Sequence, residues 1–306
     1  MAQWGDDTEI DDEEDALDDV RPDLCPGKET YSEIGRREIV VDDGRFEVIK
    51  KTGAGTYGVV LKVRDTKTDE LSALKVLRSR WCEDQACAVM EFKFGRRLVE
   101  AEEEAGVESR VVRYLRSGKK EPGLLSFGAE LLPPLQMELL EGLSLWDFIT
   151  GEDYQPWRPF HWQTMYHIVK QICEGVQFLH AHGTVHTDLK SENVVYIHKP
   201  KYVDVEDPIA PSFKKNVRPS ILKVRLLRKS SVKIIDLGNA FDATEKSFGK
   251  KKVLINSRPY RGPEVMLRKG WDFKSDVWSL GVTLYEFYTG HRMFDVNLGT
   301  CQQGIT

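Results

Sequence analysis

Short apolar runs separated by polar segments fill the first half of the chain. Phe46–Ile49, Val59–Val63 and Leu71–Val76 are rich in β-branched and other apolar residues. This pattern predicts β-strands, and the short connections between them predict an antiparallel sheet. Further strands are predicted at Glu38–Val41, Val111–Leu115 and Leu135–Leu139.

In the second half of the chain, apolar residues recur with a longer period. Apolar residues three or four positions apart predict one helix that stops at Gly183 and another that runs from Ser275 to Gly290. A further helix is predicted over residues 83–101, which are rich in Ala, Met, Glu and Arg. A β-rich half joined to a helix-rich half, without internal repeats, indicates an α+β fold. The predicted apolar faces of the two later helices are Met165, Ile168, Ile172, Val176 and Leu179, and Val277, Leu280, Leu284 and Phe287.

The composition is that of a globular protein. Of the 306 residues, 41% are hydrophobic and 10% aromatic, which excludes a fibrous or wholly disordered chain. No apolar run approaches the roughly 18 residues of a membrane-spanning helix, and the N-terminus lacks the basic and apolar regions of a secretory signal. Five scattered cysteines favour reduced thiols over a disulfide framework. We therefore expect a nuclear or cytoplasmic protein without a membrane partner.

Negative charge is concentrated at the N-terminus. Lys and Arg number 44 against 49 Asp and Glu, a net charge of −5, yet residues 1–24 carry eleven acids and one base and are therefore −10. A segment so acidic and so poor in apolar residues predicts a disordered tail, which we place over residues 1–37. A solvated tail is favoured over a specific docking arm on composition alone.

A glycine-rich stretch lies between the predicted strands at 46–49 and 59–63. Residues 53–60 match the pattern G-x-G-x-x-G-x-V, which alone also fits a dinucleotide-binding loop. A dinucleotide-binding loop opens into a helix, whereas the β-branched residues that follow here predict a strand. A glycine loop between antiparallel strands is typical of the phosphate-covering loop of a protein kinase. The predicted nucleotide-binding residues of the loop are Gly53, Ala54, Gly55, Thr56, Tyr57 and Gly58.

Lys75 lies between apolar neighbours on the third predicted strand, seventeen residues after Gly58. A lysine there needs an anionic partner, and nucleotide phosphates are one candidate. The alternative is an edge-strand lysine whose amine reaches solvent. Glu91 follows sixteen residues later within the predicted helix and could pair with Lys75. Because any helix offers several glutamates, this pairing depends on the other motifs.

The strongest motif is the segment His186–Asn193, with the sequence HTDLKSEN. Phosphoryl transfer requires a carboxylate near the acceptor hydroxyl and oxygen ligands for Mg²⁺. Asp188 is predicted to serve the hydroxyl, Lys190 to place a cation near the γ-phosphate, and Asn193 to hold the metal. His186 is predicted to be a structural histidine rather than a general base.

Two further motifs follow in the order that a kinase requires. Asp236 ends a predicted strand, in Asp-Leu-Gly, and is predicted to bind Mg²⁺. Gly262-Pro263-Glu264 lies 26 residues after Asp236 and closes an activation segment of ordinary length. The order and spacing of these motifs together favour a kinase over a chance match.

The chain resembles the eukaryotic protein kinases of the CMGC group, and most closely the LAMMER-type kinases of SR splicing factors. The resemblance covers roughly residues 40–296. Thr187 stands where most kinases have Arg, as it does in LAMMER-type kinases. Asp236–Ala240 is instead similar to the SR-protein kinase family. The other matching segments are Met137–Leu140, Leu143–Ile149, Ser257–Glu264 and Gly270–Ser279.

The resemblance implies a bilobal kinase fold, with an antiparallel small lobe and hinge over residues 38–140 and a mainly helical large lobe over 141–296. It implies ATP and Mg²⁺ as cofactors and protein hydroxyls as substrates, with SR-type splicing factors as one class of partner. It also implies that Met137 is the gatekeeper, that the Leu140 backbone meets adenine, and that the remaining nucleotide contacts come from Val60, Ala73, Glu138, Val195 and Ile235.

Two features depart from the family pattern. After Asp295 the resemblance fades, so we expect an incomplete large lobe and a divergent tail over residues 297–306. An insertion at 199–230 separates the catalytic loop from Asp236. A solvated loop is favoured over a surface for RNA or acidic partners, so direct nucleic-acid binding is not expected. The basic residues of the insertion are Lys214, Lys215, Arg218, Lys223, Arg225, Arg228 and Lys229.

The favoured hypothesis is an ATP-dependent protein Ser/Thr kinase, with dual specificity left open. The rival is a truncated, weakly active or inactive kinase-like protein that binds nucleotide or partners. A small-molecule kinase is disfavoured because Gly262-Pro263-Glu264 is a peptide-docking feature. If the large lobe is incomplete, Glu264 should be a buried carboxylate without its usual arginine, and the last helix should expose Trp278, Leu284 and Tyr285.

Overall fold

The structure is a computed structural model that describes residues 45–55, 58–77, 82–115, 125–127, 130–132, 135–151, 161–207, 222–228, 230–245, 248–250 and 253–294. The acidic segment, the predicted strand Glu38–Val41, Thr56, Tyr57 and the tail at 297–306 lie outside these residues. Among the described residues, no helix is both long enough and apolar enough to cross a bilayer.

The first half forms an antiparallel sheet with one long helix. Strands β1 (Phe46–Gly55), β2 (Gly58–Asp65) and β3 (Leu71–Leu77) are consecutive neighbours, and helix α1 (Cys82–Ala105) follows them. A small hairpin, β4 (Leu125–Phe127) and β5 (Glu130–Leu132), precedes β6 (Leu135–Met137), which pairs with β3. Apolar side chains from the first three strands form a cluster of their own: Phe46, Val59, Leu61, Val63 and Leu74.

The second half is mainly helical, with short strands that support loops. Its elements are α2 (Leu145–Thr150), α3 (Trp162–Ala181), β7 (Thr184–Val185), β8 (Val194–Tyr196), β9 (Lys201–Asp207), β10 (Leu222–Arg228), β11 (Val232–Ile234), β12 (Phe241–Asp242), α4 (Pro263–Met266) and α5 (Lys274–Thr289). Strands β7 and β12, β8 and β11, and β9 and β10 pair antiparallel. The predicted α+β fold is confirmed.

The segment Val111–Leu115, predicted as a strand, forms only two isolated bridges. Val111 bridges to Ile234 in parallel, whereas Tyr114 bridges to Met137 antiparallel. Because the segment alternates between partners in the two halves of the molecule, no continuous ladder forms. It links the hinge side of the sheet to β11.

The insertion at 199–230 is not simply a solvated loop. Its described residues form the antiparallel pair β9–β10. Leu227 is buried against the main core, and its N–H donates to the Thr164 hydroxyl on α3. The backbone register places Lys223 opposite Glu206 and Arg225 opposite Asp204.

The buried face of α5 is shifted from the predicted one. Val277 is 53% exposed, and Leu280 and Leu284 are only half-buried. The fully buried positions follow a helical spacing but are largely polar, which is why hydrophobicity alone misplaced the face. They are Ser275, Asp276, Ser279, Val282, Thr283, Glu286 and Phe287.

Outward-facing aromatics on α5 border a large groove. Trp278 and Tyr285 are exposed as predicted, whereas Leu284 packs against the core. The groove has a volume of about 1070 Å³ and is lined mainly by α5 and the segment before it. Glu264 lies at this groove, half-buried rather than buried, and accepts a hydrogen bond of 3.2 Å from the Ser275 hydroxyl. The expectation of a fully buried carboxylate is therefore wrong.

Candidate active site

Lys75 stands at the centre of a buried charge cluster. Its amine donates to both carboxylate oxygens of Glu91, at 3.0 and 2.8 Å, and to Asp236 Oδ1 at 2.7 Å. Strand β3, helix α1 and the loop after β11 each supply one of these residues. The predicted pairing of Lys75 with Glu91 is confirmed, and the edge-strand alternative is wrong because Lys75 is buried.

The cluster shifts the pKa of all three groups. Burial lowers the pKa of Lys75, but the Glu91 and Asp236 carboxylates outweigh it, so the net shift is upward. Burial raises the pKa of Glu91, and its pairing with Lys75 offsets only part of this. Burial also opposes ionisation of Asp236, yet Lys75 and the Gly238 N–H hold the pKa of Asp236 below its ordinary value. Asp236 is thus the more firmly ionised carboxylate.

Asp188 belongs to a second network, built from the catalytic loop and the activation segment. Its Oδ1 accepts from the Ser257 hydroxyl at 2.7 Å and from the Ser257 N–H at 3.1 Å, while Oδ2 accepts from the Lys190 amine at 2.8 Å. Lys190 also donates to the Ser257 hydroxyl at 3.0 Å. The carboxylate is therefore fixed in orientation beside a cation.

Asp276 accepts hydrogen bonds from the backbone of the loop that carries Asp188. This fully buried carboxylate at the start of α5 accepts from the N–H groups of His186 and Thr187, at 2.8 and 2.9 Å. It also contacts the His180 ring at 2.9 Å. These bonds support a left-handed conformation at Thr187, with φ of 62°. Such a conformation is unfavourable for a β-branched residue, so the surrounding structure must enforce it.

His186 and Thr187 connect the catalytic loop to its neighbours. The His186 ring contacts the Ile235 carbonyl oxygen at 3.0 Å, and its other nitrogen accepts from the Asp188 N–H. His186 is fully buried and both ring nitrogens contact backbone groups, which agrees with the predicted structural role. The Thr187 hydroxyl donates to the Asn239 carbonyl oxygen, which ties the loop to the start of the activation segment.

The predicted metal ligands are compatible with Mg²⁺. The Asn193 side-chain nitrogen donates to the Asp188 carbonyl oxygen at 2.8 Å, which leaves the amide oxygen as its potential ligand. The Ile235 N–H donates to the Asn193 carbonyl oxygen, so the segment before Asp236 is bonded directly to the loop that carries Asn193. A carboxylate and an amide oxygen are the hard donors that Mg²⁺ prefers.

The strand register organises the predicted nucleotide residues. Val60 lies opposite Lys75, and Ala73 lies opposite Met137. Gly53 pairs with Val60, and Gly55 pairs with Gly58 at the end of the β1–β2 hairpin, so the strand prediction after the glycine loop is confirmed. The backbone of Ala54 pairs with Val59 in the same ladder.

At the predicted hinge, the side chain of Glu138 is hydrogen-bonded to other parts of the protein. The Glu138 carboxylate accepts from the Lys233 amine at 2.6 Å and from the Arg113 N–H at 2.7 Å. Its side chain is thus engaged within the protein, and a nucleotide contact at this position would come from the backbone. The remaining adenine candidates, Leu140, Val195 and Ile235, are half-buried.

Several residues of the site were missed by sequence reasoning. Ser257 and Asp276 act on Asp188 and on the loop around it, and Tyr114 donates to Glu91 at 2.9 Å. Arg97 on α1 pairs with Asp242 and donates to the Thr184 hydroxyl at 2.6 Å. Each of these contacts joins residues far apart in sequence, so local spacing gives no signal for them.

Comparison with known proteins agrees with this geometry. The family model for the protein kinase domain matches residues 46–304. The chain belongs to the protein kinase family. The matched range extends past residue 296, into the segment predicted to be a divergent tail.

The similar proteins include dual specificity and serine/threonine protein kinases. A probable dual specificity protein kinase, madd-3 of Caenorhabditis elegans, is 32% identical over 259 residues, which cover 83% of this chain and 25% of the relative. Dual specificity protein kinase CLK2 of Homo sapiens is 28% identical, with 83% and 45% covered. Serine/threonine-protein kinase AFC1 of Arabidopsis thaliana is 30% identical, with 83% and 49% covered. The predicted resemblance to LAMMER-type kinases is confirmed.

A solved structure supports the fold. The crystal structure of a kinase domain superposes with a TM-score of 0.64 at 25% identity, covering 84% of this chain and 68% of the other. The chain spans half or less of the length of the curated relatives named above.

Proposed function

We propose that this chain carries the core of an ATP- and Mg²⁺-dependent protein serine/threonine kinase. It would transfer the γ-phosphoryl group of ATP to hydroxyl groups of proteins. The relatives named dual specificity kinases make tyrosine a candidate acceptor as well. The proposed lobes meet at the hinge, between residues 140 and 141.

The observation that carries this proposal is the simultaneous pairing of Lys75 with Glu91 and Asp236. In kinases, a lysine–glutamate pair and the metal-binding aspartate must be in place together before transfer can occur. Here one amine contacts both carboxylates, so the described chain supports this arrangement.

Each side chain has a proposed role. Lys75, held by Glu91, would bind the nucleotide phosphates. Asp188 would orient the acceptor hydroxyl and accept its proton at a carboxylate oxygen, and Lys190 would stabilise charge on the transferred group. The fixed orientation of Asp188 reduces the reorganisation needed during the reaction.

Asp236 and Asn193 would hold Mg²⁺. When bound, the metal would neutralise charge on the phosphate oxygens. The firmly ionised state of Asp236, which Lys75 favours, suits a carboxylate ligand. The glycine loop from Gly53 to Gly58 would cover the phosphates.

The substrate class is proposed from the sequence resemblance to LAMMER-type kinases. SR-type splicing factors are the proposed protein substrates, and the nucleus or the cytoplasm is the proposed location. Direct nucleic-acid binding is not part of the proposal.

A second candidate is a kinase-like module that binds nucleotide or a partner protein with little turnover. The exposed groove beside α5 favours it, because large apolar surfaces often serve as protein interfaces. The two candidates differ in phosphoryl transfer, which the kinase performs and the binding module does not.

A transfer assay separates them. The 306-residue chain would be incubated with labelled ATP, Mg²⁺ and an Arg-Ser peptide, alongside Asp236→Ala and the exposed control Asp69→Asn. We expect labelled peptide with the parent and the control, and none with Asp236→Ala. Equal rates for the parent and Asp236→Ala would contradict the assignment of Asp236. Nucleotide binding by the parent without transfer would favour the second candidate.

A further inference from the structure

Tyr114 occupies an unusual position between the hinge and α1. It is 1% exposed, and its backbone bridges antiparallel to Met137 at the end of β6. The neighbouring Leu115 N–H donates to the Gln136 carbonyl oxygen, and the Glu138 N–H donates to the Arg113 carbonyl oxygen. The backbone around Tyr114 is therefore fixed to the strand that leads into the hinge.

The ring of Tyr114 lies directly against α1 at Gly95. A Cβ atom built at Gly95 would lie 2.3 Å from two carbon atoms of the ring. Real side chains do not approach so closely, so the ring occupies this position only because residue 95 lacks a side chain. Gly95 has no need of a left-handed backbone within the helix, and glycine lowers helix stability by roughly 1 kcal/mol relative to alanine. The close approach supplies the reason for glycine here.

The hydroxyl of Tyr114 contacts the carboxylate of Glu91, which also lies on α1. It donates to Glu91 Oε1 at 2.9 Å, and this is the oxygen that also accepts from Lys75 at 3.0 Å. Burial raises the pKa of Tyr114 well above its ordinary value, so the phenol stays protonated and remains a donor. Glu91 therefore has two donors, one from β3 and one from the hinge side.

We propose that Tyr114 and Gly95 form a positioning pair that holds Glu91, and with it α1, in the orientation that engages Lys75. In this arrangement Tyr114 is a positioning residue, because it acts through its hydrogen bond to Glu91. The inference rests on the proposed kinase function for its kinetic consequence, but the effect on α1 is independent of turnover.

The test uses Tyr114→Phe, which keeps the ring and removes only the hydroxyl. Its matched control is Tyr196→Phe, since the buried Tyr196 hydroxyl has no hydrogen-bond partner among the described residues. Gly95→Ala is the second variant, and its control is Gly281→Ala on α5, where an added Cβ meets nothing within 4 Å. Amide hydrogen exchange of α1 and the steady-state constants for ATP would be measured for all four.

We expect Tyr114→Phe to accelerate exchange in α1 and to lower kcat about tenfold, in line with the loss of a hydrogen bond to a charged group. KM for ATP should change by less than about twofold, because the phosphate-binding lysine is retained. Gly95→Ala should accelerate exchange in the same helix, and both controls should leave α1 exchange and the constants for ATP as they are in the parent.

Unchanged α1 exchange in both Tyr114→Phe and Gly95→Ala would overturn the proposal. Equal effects of Tyr114→Phe and Tyr196→Phe would also overturn it, because buried hydroxyls in general would then be responsible. A parent chain without phosphoryl transfer would contradict the proposed kinase function alone, since α1 exchange would still decide the role of Tyr114.

Discussion

The catalytic cleft and the outer face of α5 differ in how their side chains are satisfied: charged groups are paired in the cleft, whereas apolar groups remain exposed on α5. In the cleft, buried and half-buried charges meet opposite charges or hydrogen-bond donors, as Lys75, Glu91, Asp236 and Asp188 show. On the outer face of α5, defined by Val277, Trp278, Gly281, Tyr285 and Tyr288, apolar side chains are exposed beside a large groove.

The difference shows that the side chains of the cleft have partners within the described residues, whereas those on the outer face of α5 largely do not. The charge networks of the cleft are completed by residues within the described chain. Among those residues, little packs against the outer face of α5. The Phe294 ring stacks on the Trp278 ring, with 6.1 Å between the ring centroids. We therefore expect changes in the cleft to affect chemistry, and changes on the outer face to affect association.

The largest expected effect comes from Asp188→Asn. The amide keeps the shape of the side chain but cannot accept a proton, and positioned general bases contribute about 10²- to 10⁴-fold to rates. We expect kcat to fall about a thousandfold, with ATP affinity unchanged, as measured by steady-state kinetics and nucleotide titration. Asp69→Asn on an exposed turn serves as the control. A variant with parental kcat would remove Asp188 from the mechanism.

Adjacent residues on α5 provide the next comparison. Phe287 is fully buried in the main core, whereas Tyr288 is 73% exposed. Phe287→Ala should lower the free energy of unfolding by about 3–5 kcal/mol, while Tyr288→Ala should change it by less than about 0.5 kcal/mol. Chemical denaturation of both variants measures the difference. Similar losses in the two would show that the outer face of α5 is covered in solution.

Association should respond to the same face. Replacing Tyr288 and Val277 with Lys adds charge to an apolar surface without entering the core. We expect the double variant to be more soluble and less self-associated than the parent, by light scattering at equal concentration, with an unchanged unfolding midpoint. A parent chain that is already monomeric at high concentration, with no gain in the variant, would contradict this.

Phosphorylation of the activation segment should have little effect on the cleft. Thr187 carries no charge to receive a phosphate, and its hydroxyl already bonds to the Asn239 carbonyl oxygen. We expect phosphatase treatment to leave kcat within about twofold of the untreated value. Loss of activity that returns on phosphorylation of the exposed Thr244, or of Ser247 outside the described residues, would overturn this expectation.

The smallest expected effect concerns pH and the ion pair at the sheet edge. The Arg45 guanidinium donates to Asp65 at 2.9 and 2.7 Å and lowers the pKa of that carboxyl. A lowered folded-state pKa contributes stability above the unfolded value of about 3.9, and this is lost as the pH falls below it. Asp65→Asn should therefore cost under about 1 kcal/mol at neutral pH. The difference from the parent should shrink towards zero as the pH falls below about 3.9, in denaturation midpoints measured across that range.

The sequence predicted the parts of the site that are encoded locally. Asp188, Lys190 and Asn193 share one loop, and Asp236 directly follows a strand, so local motifs taken together predicted all four as site residues. Ser257 and Asp276 were missed because they reach Asp188 and its loop from 69 and about 90 residues away. Their hydrogen bonds arise only when the helices pack.

The fold was predicted well where side-chain pattern and burial agree. The first three strands and α3 follow their apolar periodicity, but α5 buries Ser279, Thr283 and Glu286 and exposes Val277. The hydrophobic pattern therefore found Phe287, Leu280 and Leu284, which pack in or against the core, but it wrongly included Val277 and missed the buried polar positions. In the insertion, the alternation of apolar residues in Leu222–Leu226 was a usable strand signal that its basic charge obscured.

The most direct test of the contrast between the cleft and α5 is thermal unfolding with and without Mg²⁺ and ATP. A ligand that binds only the folded state raises the unfolding midpoint. We expect this rise in the parent and in Tyr288→Lys, and its loss in Lys75→Met. An equal rise in Lys75→Met would contradict the assignment of the nucleotide site to the charge cluster around Lys75.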